Sequence, residues 1–380
     1  MNILLLTKLT DDLLHKTSEF EMSEELRKRG HVITIIMAKK IGEKKIKNDE
    51  FLYLPTINYP MFSGLLFGLI ILLYLPIVAR KKKIDAIIID EATVWLPFTS
   101  TLKLFGFPLF LDVRTLPIDR EKSIFFEITL DFCKYIVDGI TTITPELEKI
   151  LVDKYHLQNK KIGIWSSGVS QRFINAGLIN EKIKFSKESK LFILMYHGTY
   201  SITRGIENLI KSLGEIDADL RKKINLIIIG FSQDEIRFLM PLCGKLGVQE
   251  LVKFLPKVRY EDIPSYIAES DVGVYPLPPE DIWWQVSAPL KTLEYLAMGK
   301  PVIVTNIPFH QRIFEKGECG VLLDSNSPKE LANAIIYLYK NKDKLDSMGR
   351  KGMEIVEKYH SWKNEAINLE KFLETIIKSN

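Results

Sequence analysis

Two segments in the second half of the sequence combine glycine, basic and acidic residues in a way that suits a phosphate-bearing ligand. The first, from His197 to Gly205, is a glycine-containing loop that carries Arg204 and leads into a predicted helix. Backbone N–H groups at a helix start and a guanidinium group both stabilise phosphate oxygens. The pattern is weak evidence by itself, because Gly198 is equally suited to a plain turn.

The second segment, from Ser287 to Val302, predicts another helix, whose N-terminus is suited to bind an anion. Ser287 is its expected N-cap, and Pro289 is expected in its first turn. Lys291 and Glu294 are three residues apart and therefore share one face of the helix. They either form an ion pair with each other, or Lys291 binds a phosphate while Glu294 accepts hydrogen bonds from a ribose diol.

Further candidates follow other predicted strands. Asp112 and Arg114 come after a strand of the first half, at the end where parallel sheets bind ligands. They either contact a ligand or form an ion pair that fixes their own loop, and we favour the ligand role for Asp112. Trp283 and Trp284 would stack on a sugar, enter a lipid surface or pack between domains. His197 either approaches the ligand or is a buried structural histidine.

The elements that must position these residues alternate between short apolar strands and longer amphipathic helices. Such alternation predicts parallel sheets covered on both faces, so the fold class is α/β with two doubly wound Rossmann-like domains facing a cleft. The first series of predicted strands is Ile3–Thr7, His31–Met37, Ala86–Asp90, Leu109–Asp112, Gly139–Thr142 and Lys161–Trp165. The second is Phe192–Tyr196, Asn225–Ile229, Val252–Leu255, Val272–Tyr275, Pro301–Thr305 and Gly320–Leu323.

A polar stretch interrupts this alternation and divides the chain. We predict a first domain over residues 1–168, a linker over 169–190 and a second domain over 191–361. The tail predicts two helices with a break near His360, and we expect residues 362–380 to pack back on the first domain. Ser18 and Glu21 form a capping-box pattern that predicts the start of the first helix. The active site is expected in the cleft, at the carboxyl ends of the strands.

Composition and missing motifs exclude several functional classes. The chain has 380 residues, and its 52 basic and 48 acidic residues leave a net charge of +4, which does not favour nucleic acid as a partner. No GxGxxG motif follows the first strand and no Walker A motif occurs, which argues against a nicotinamide dehydrogenase or a P-loop enzyme. Three scattered cysteines argue against a disulfide framework and a zinc site, and fit a reducing compartment. No secretory signal opens the chain, so we expect a cytoplasmic protein.

One long segment raises the question of membrane contact. Met61–Ala79 contains no charged residue and is followed by the basic run Arg80–Lys83. As a helix it would be about 28 Å long, close to the thickness of a bilayer core. Strands predicted on both sides argue against a membrane span, because one sheet does not form across a bilayer. The segment 61–83 is therefore either a buried crossover helix with a solvated basic end or a helix on a membrane surface, where the basic run contacts anionic headgroups.

The motifs of the second half resemble, in order and spacing, the nucleotide-sugar half of the family 4 glycosyltransferases, which have the GT-B fold. They are Gly198 with Arg204-Gly205, Ile227-Ile228-Ile229-Gly230, Phe254-Leu255-Pro256, Ser270 to Pro276, Pro289 to Val302 and Glu318 to Leu322. The first half is similar more loosely, through Leu26 to Val32, Leu111 to Pro117 and Ser167-Gly168-Val169. The resemblance covers nearly the whole chain, and it implies that the domain 1–168 binds the acceptor and the domain 191–361 binds the nucleotide-sugar.

This resemblance implies a retaining enzyme that uses a nucleotide-diphosphate-sugar as donor and requires neither a metal nor another cofactor; no DxD triplet is found. Arg204 matches the basic residue, usually lysine, that the family places on the donor pyrophosphate. Glu294 matches the second glutamate of the family's Glu-x7-Glu motif, which holds the ribose. Two positions depart from the pattern: Val286 replaces the first glutamate, and Thr199 replaces an arginine after the loop glycine. Lys291 is the candidate to compensate for the missing basic group.

The candidate residues fall into three sets. The catalytic set is Arg204, Lys291 and Asp112, and the acceptor-binding set is Asp112 and Arg114. The donor-binding set is Gly198, Thr199, Arg204, Ser287, Pro289, Leu290, Lys291 and Glu294.

We therefore predict a peripheral-membrane glycosyltransferase of the cytosolic face that moves a hexose-type sugar to a glycan or a lipid-linked acceptor. A non-catalytic nucleotide-sugar- or glycan-binding subunit of a membrane assembly is the alternative, motivated by Val286 and Thr199. A nucleotide-sugar 2-epimerase shares the fold, but we find no convincing set of acidic and histidine groups for it.

Overall fold

The computed structural model describes residues 1–7, 17–40, 51–56, 60–90, 101–117, 120–179 and 191–379. The chain divides into two compact units. Unit 1 comprises Met1–Ser166 together with Trp362–Asn380, and unit 2 comprises Ser167–Ser361. Each unit is an α/β structure built on one parallel sheet, which confirms the predicted α/β class with two Rossmann-like domains.

Unit 1 contains a seven-stranded sheet with the order β3-β2-β1-β4-β5-β6-β7, in which every neighbouring pair is parallel. The strands are β1 Asn2–Thr7, β2 Val32–Lys40, β3 Phe51–Thr56, β4 Ala86–Asp90, β5 Leu109–Val113, β6 Gly139–Thr142 and β7 Ile162–Ile164. The sequence analysis missed β3, whose Pro55 lacks a backbone N–H. Proline is tolerated in a strand at the edge of a sheet, where β3 lies.

The helices of unit 1 connect these strands or close the chain. Their bounds are Thr17–Lys28, Pro60–Lys81, Arg120–Ile136, Pro145–Asp153 and Trp362–Ile377. The first helix includes Ser18, so the predicted capping box at Ser18 is wrong. Thr144 caps the helix Pro145–Asp153, because its hydroxyl accepts a hydrogen bond from the N–H of Leu147 at 3.2 Å.

The last helix belongs to unit 1 and packs on its sheet and on its first helix. Glu370 accepts hydrogen bonds from Arg29 and from His31 Nε2, the latter at 3.0 Å. The ring of Phe372 lies over Gly139 and Gly163, where an added Cβ would collide with it or with its neighbour Ile376. Two glycines in the strands therefore make room for this helix.

Unit 2 contains a six-stranded parallel sheet with the order β10-β9-β8-β11-β12-β13. The strands are β8 Phe192–His197, β9 Ile224–Ile229, β10 Val252–Leu255, β11 Val272–Tyr275, β12 Val302–Thr305 and β13 Gly320–Leu323. The helices are Gln171–Ile179, Ile206–Glu215, Ala218–Arg221, Gln233–Leu246, Ile263–Glu269, Ile282–Gln285, Leu290–Ala297, Pro308–Phe314, Pro328–Lys340 and Leu345–Tyr359.

The segment 169–190, expected to be a linker, is helical over Gln171–Ile179, and residues 180–190 lie outside the described part of the chain. Val169 donates a backbone hydrogen bond to the carbonyl of His360 at 2.7 Å, within unit 2. The tail is broken where the sequence analysis places the break, because the helix Leu345–Tyr359 ends just before His360.

The apolar segment 61–79 lies within the helix Pro60–Lys81, which connects β3 to β4. One side of it is buried, through Phe67, Ile71, Leu75, Val78 and Ala79. The other side exposes Leu69, Leu73, Tyr74 and Ile77. Among the described residues, no helix combines the length and the apolar character that crossing a bilayer requires.

Candidate functional site

The glycine loop after β8 has a backbone that only glycine adopts readily. Gly198 has φ +139° and donates a hydrogen bond to the carbonyl of Ile229 at 2.9 Å. A Cβ placed on Gly198 would lie 3.1 Å from Lys291 Cε and 3.5 Å from Arg204 Nη1. The missing side chain therefore lets two cationic side chains from different elements approach the same point.

Arg204 ends the short 3₁₀ helix Ile202–Arg204, and its guanidinium is largely buried. Its Nη1 is a buried nitrogen that has full hydrogen-bond geometry with no described residue, although the guanidinium lies beside the hydroxyl of Tyr196. Its Cζ lies 5.8 Å from the ring centre of Trp284, whose Nε1 donates to the carbonyl of Thr203 at 2.8 Å. A buried donor without an acceptor is costly, so Arg204 is suited to an anionic ligand that completes its hydrogen bonds.

The loop geometry around Arg204 depends on Gly205, which has φ +70°. An added Cβ there would collide with the carbonyl of Pro276. Ser201 caps the 3₁₀ helix by accepting from the N–H of Thr203 at 3.3 Å. Thr199 is exposed, and its carbonyl accepts a hydrogen bond from the hydroxyl of Tyr196 at 3.4 Å.

Lys291 lies in the first turn of the helix Leu290–Ala297. The N-cap is Pro289, with no side-chain cap, so the predicted placement of Pro289 in the first turn is wrong. The predicted N-cap, Ser287, instead donates its hydroxyl proton to the carbonyl of Trp284 at 2.9 Å. The first N–H groups of a helix have no acceptor within the helix, so an uncapped start offers donors and positive potential beside Lys291.

Glu294 lies on the same helix and is buried. Its Oε1 accepts a hydrogen bond from the hydroxyl of Tyr260 at 2.9 Å, and its Oε2 lies 3.2 Å from His197 Nε2. Because these contacts are with Tyr260 and His197, they argue against the plain ion-pair interpretation of the Lys291 and Glu294 spacing. Lys291 instead approaches the glycine loop, and its Nζ lies 5.9 Å from the ring centre of Tyr275.

His197 is buried beside this helix. Burial, and then the charge of Lys291, lowers its pKa from 6.5 to about 3, so it is neutral near pH 7. Its contact with Glu294 is therefore not an ion pair, and its Nε2 lacks hydrogen-bond geometry with any described residue. Its backbone N–H donates to the hydroxyl of Tyr295 at 3.0 Å, which fixes the end of β8 against the helix Leu290–Ala297.

His310, to which the sequence analysis gave no role, contacts the helix Leu290–Ala297 through Thr292. Its Nδ1 donates to the carbonyl of Thr305 at 2.8 Å, since a carbonyl only accepts. Its Nε2 therefore accepts from the hydroxyl of Thr292 at 2.9 Å. Burial lowers the pKa of His310 to about 4, which keeps this arrangement neutral. Because Thr292 directly follows Lys291, these bonds of His310 fix the helical turn that carries Lys291.

Asp112 and Arg114 lie in unit 1, at the end of β5 and just after it. Asp112 Oδ1 accepts from the hydroxyl of Thr141 at 2.6 Å and from Trp165 Nε1 at 3.1 Å. Arg114 donates from Nη1 to the carbonyl of Trp165 at 2.7 Å and lies over its ring, with Cζ 3.6 Å from the ring centre. Burial raises the pKa of Asp112 to about 6, while Arg114 opposes that rise.

Asp112 also lines a pocket at the carboxyl ends of β1, β4 and β5. Most of its lining residues are apolar, and among the polar ones the hydroxyl of Thr7 donates to Asp90 at 2.7 Å. Arg114 contacts Trp165 but is not one of the lining residues. Those residues are Leu5, Leu6, Thr7, Glu19, Phe20, Met22, Ile35, Met37, Ile88, Asp90, Asp112, Trp165 and Leu369.

The structure thus brings Gly198, Arg204, Lys291 and Glu294 together in unit 2, and places Asp112 and Arg114 at one indole ring in unit 1. Leu290 begins the helix of Lys291. Trp284 supports the loop of Arg204, whereas Trp283 packs against Trp284, with ring centres 6.2 Å apart. No cluster of histidine, cysteine and acidic side chains suited to a metal occurs among the described residues.

Comparison with known families gives two matches that lie side by side along the chain. The model described as "Glycosyl transferases group 1" matches residues 179–354. The model described as "Glycosyltransferase Family 4" matches residues 17–172.

Curated relatives are similar at low identity. An uncharacterized glycosyltransferase of Methanocaldococcus jannaschii is 23% identical over 240 residues, which are 63% of this chain and 59% of the relative. A D-inositol 3-phosphate glycosyltransferase of Paenarthrobacter aurescens is 24% identical over 250 residues, again 63% of this chain and 59% of the relative. The chain thus spans about 59% of the length of these two relatives.

Solved structures share the fold over the whole chain. Sucrose-phosphate synthase from Thermosynechococcus elongatus superposes with a TM-score of 0.76 at 16% identity, covering 100% of both chains. The Anabaena protein HepE in complex with UDP superposes with a TM-score of 0.73 at 16% identity, covering 99% of this chain and 100% of that one. At these identities the likeness shows the fold alone.

Proposed function

The chain belongs to the family 4 glycosyltransferases of the GT-B fold, and from this premise we propose that it transfers a sugar from a nucleotide-diphosphate-sugar to a hydroxyl acceptor. The observation that carries the proposal is the approach of Arg204 and Lys291 to one point beside Gly198. Two fixed cations and an uncapped helix start form a site for a diphosphate that requires no metal ion.

The donor then binds in unit 2. Arg204 Nη1 gives its unused hydrogen bond to a diphosphate oxygen, and Lys291 contributes a second positive charge. Glu294, held by Tyr260 at 2.9 Å, accepts from the ribose hydroxyls. Thr199, Ser287, Pro289 and Leu290 border the same loop and helix start. UDP in the crystals of HepE supports a nucleoside diphosphate as the common part of the donor.

The chemical step requires stabilisation of a leaving diphosphate. The bond between the anomeric carbon and the diphosphate oxygen breaks, and its electron pair leaves with the diphosphate. A new bond forms from the acceptor oxygen to the same carbon, on the same face of the sugar, and the acceptor proton passes to a donor phosphate oxygen. Arg204 and Lys291 stabilise the departing charge, and one such preorganised donor contributes about 3 kcal/mol to the transition state.

The acceptor binds in unit 1. Asp112 lines the pocket there and accepts hydrogen bonds from Thr141 and Trp165 at Oδ1, and its carboxylate accepts from an acceptor hydroxyl. Arg114 holds the Trp165 side chain in place. The acceptor class that we propose is a glycan or a lipid-linked saccharide at the cytosolic face of a membrane. A cytoplasmic location is supported by the three cysteines, all of them free and buried.

The test is transfer from a panel of nucleotide-sugars with wild-type protein, Arg204→Ala and a control variant. Arg237→Ala is a matched control, because Arg237 is an exposed arginine of the same unit, paired with Asp234. We expect one donor to be turned over, and we expect Arg204→Ala to lower that rate at least about a hundredfold. Arg237→Ala should leave the rate unchanged. Absence of both hydrolysis and transfer with every donor would contradict the proposal.

A non-catalytic binding subunit is the second candidate, and one observation favours it. Val286 is buried and only 2% exposed where the resemblance expects a glutamate. In that case the wild-type protein binds a nucleotide-sugar without turning it over, and Arg204→Ala weakens only the binding.

A further inference from the structure

Three helical segments of unit 1 lie on the same face of its sheet. The connections β3 to β4, β4 to β5 and β5 to β6 all run in one direction along the strand order. Right-handed crossovers between parallel strands place such connections on one face. The helix Pro60–Lys81, the helical turn 101–105 and the helix Arg120–Ile136 therefore form one layer, with an outer surface directed away from the sheet.

Contacts between side chains join the three segments into one surface. The guanidinium of Arg80, near the end of the first helix, lies 5.0 Å from the ring centre of Phe105. Lys103, in the same turn, forms an ion pair with Asp138, which follows the helix Arg120–Ile136. The turn thus bridges the two helices, and the segments form a continuous layer.

This outer surface concentrates the exposed apolar side chains of the protein. Of the 17 large apolar side chains that are exposed among the described residues, ten belong to these segments, so the exposure is not scattered. Leu73 is 72% exposed, Leu104 is 85% exposed and Tyr135 is 85% exposed. The others are Leu69, Tyr74, Ile77, Phe105, Ile124, Ile128 and Phe132.

The spacing of these residues shows that they form stripes. Leu69, Leu73 and Ile77 recur every four residues, as do Ile124, Ile128 and Phe132, so each set lies along one side of its helix. The first helix already buries its opposite side, through Phe67, Ile71 and Leu75, against its own unit. The exposed stripe is thus a second apolar side that the fold of unit 1 does not use.

The end of the helix Pro60–Lys81 and the two residues after it carry only positive charges beside this surface. Arg80, Lys81, Lys82 and Lys83 are all exposed, and residues 60–83 contain no acidic residue. Among its described side chains, the helix Arg120–Ile136 carries two exposed acidic residues, Glu127 and Asp131, and Lys134 pairs with Asp131 at 2.6 Å. The surface therefore presents an apolar field with a basic edge.

We propose that this surface binds a bilayer containing anionic lipid, with the two apolar stripes at the acyl boundary and Arg80–Lys83 at the phosphates. Apolar stripes beside a basic cluster are the pattern of helices that lie in the membrane interface. A second copy of the chain fits less well, because the described part of this surface would offer the four cations of Arg80–Lys83 only two exposed acidic residues, Glu127 and Asp131, and Asp131 is already paired with Lys134. The membrane proposal rests on the proposed function only in its acceptor, a lipid-linked saccharide that binds in unit 1. It does not depend on the donor site, which lies in unit 2.

The test is sedimentation of the full chain with vesicles of phosphatidylcholine alone and of phosphatidylcholine mixed with phosphatidylglycerol. We expect sedimentation with the mixed vesicles that decreases as salt is raised. Leu73→Ser combined with Ile77→Ser should weaken binding at least about tenfold, since both aliphatic side chains leave water when the surface enters the bilayer. Phe238→Ser with Met240→Ser is the matched control, because these two residues are exposed on a helix of unit 2.

The basic edge is tested separately. Lys81→Gln with Lys82→Gln should weaken binding to the mixed vesicles about fivefold for each lysine, and should leave binding to phosphatidylcholine alone unchanged. The proposal is overturned if the wild type stays in the supernatant with both vesicles, or if the control weakens binding as much as the Leu73 and Ile77 changes. It is also overturned if those changes convert a dimer into a monomer in gel filtration. Nucleotide binding by the same variants should stay unchanged. If the membrane proposal fails, the proposed donor site is therefore not contradicted.

Discussion

Arg204 Nη1 and Lys291 Cε lie within 3.5 Å of the point where a side chain on Gly198 would begin, although the two residues are 87 positions apart in the chain. The first ends a 3₁₀ helix after β8, and the second lies in the first turn of the helix Leu290–Ala297. The glycine loop lies between them, and this convergence is the structural basis of the proposed diphosphate site.

Adding one methyl group to the loop tests that convergence. Gly198→Ala should weaken nucleoside diphosphate binding at least about tenfold, because the Cβ would displace Lys291 and the backbone at φ +139° disfavours alanine. Gly247→Ala is the control, since Gly247 also has a positive φ, +63°, but nothing lies within 4 Å of an added Cβ. Isothermal titration of both variants is the measurement. Equal affinities would show that the loop does not shape the site.

The support of Lys291 by His310 gives a second prediction. His310→Phe leaves the hydroxyl of Thr292 and the carbonyl of Thr305 without their partner, which should lower the free energy of unfolding by about 1–3 kcal/mol. The same change should also raise the Kd for nucleoside diphosphate, because it loosens the turn that carries Lys291. Urea unfolding and titration separate the two effects. A loss of stability with unchanged affinity would show that His310 has only a structural role.

The pH dependence of stability follows from three histidines whose pKa values are lowered by partial or complete burial. Burial lowers the pKa of His197 to about 3 and those of His310 and His360 to about 4. Below their ordinary pKa of 6.5 the unfolded chain binds protons that the folded protein does not, so stability should fall as the pH drops from about 7 towards 4. Each histidine contributes up to about 1.4 kcal/mol per pH unit.

Asp112 acts in the opposite direction within part of that range. Burial raises its pKa from 3.8 to about 6, so it favours the folded state at low pH and loses that contribution as the pH rises through about 6. The histidines outnumber it, and we expect a net loss of stability on acidification. Thermal unfolding of the wild type and of Asp112→Asn across this range measures both contributions. A stability that rises on acidification would contradict the account.

The contact between Phe372 and the glycines of the unit 1 sheet predicts a strong coupling. Gly163→Ala should destabilise the protein by about 1–3 kcal/mol, because the added Cβ would overlap the ring of Phe372. In the background of Phe372→Ala the same change should cost much less, since the ring is gone. A double-mutant cycle measures this difference. Additive effects would show that the last helix does not pack against β7 in this way.

The sequence predicted most strands within one residue at each end, because a buried parallel strand is a continuous apolar run that periodicity identifies without tertiary information. It missed Phe51–Thr56, whose Pro55 is typical of a turn unless the strand is known to lie at an edge. It also placed the N-cap at Ser287, a residue with high capping propensity, although the hydroxyl of Ser287 binds the carbonyl of Trp284 instead. At Ser287 the hydrogen bond to a nearby carbonyl outweighs the intrinsic preference of serine for the N-cap position.

The sequence predicted the charged residues of the candidate site, but not the residues whose hydrogen bonds hold them in place. Arg204, Lys291 and Glu294 belong to motifs with a fixed order, so their proximity is implied by the resemblance. Tyr260 and His310 contribute single hydrogen bonds from distant elements, and nothing in their own sequence neighbourhoods indicates those bonds. Trp284 likewise depends on a bond to the carbonyl of Thr203, 81 residues away. Such roles become visible only when the elements are assembled.

The most direct test of the central claim compares nucleoside diphosphates with the matching monophosphates as ligands. The panel is UDP, GDP, ADP, CDP and dTDP, each titrated calorimetrically into the wild type, into Arg204→Ala with Lys291→Ala, and into Arg237→Ala. We predict that the wild type and Arg237→Ala bind one diphosphate at least about a hundredfold more tightly than its monophosphate, and that the double variant loses this preference. A double variant that retains the full preference would show that Arg204 and Lys291 do not hold the diphosphate.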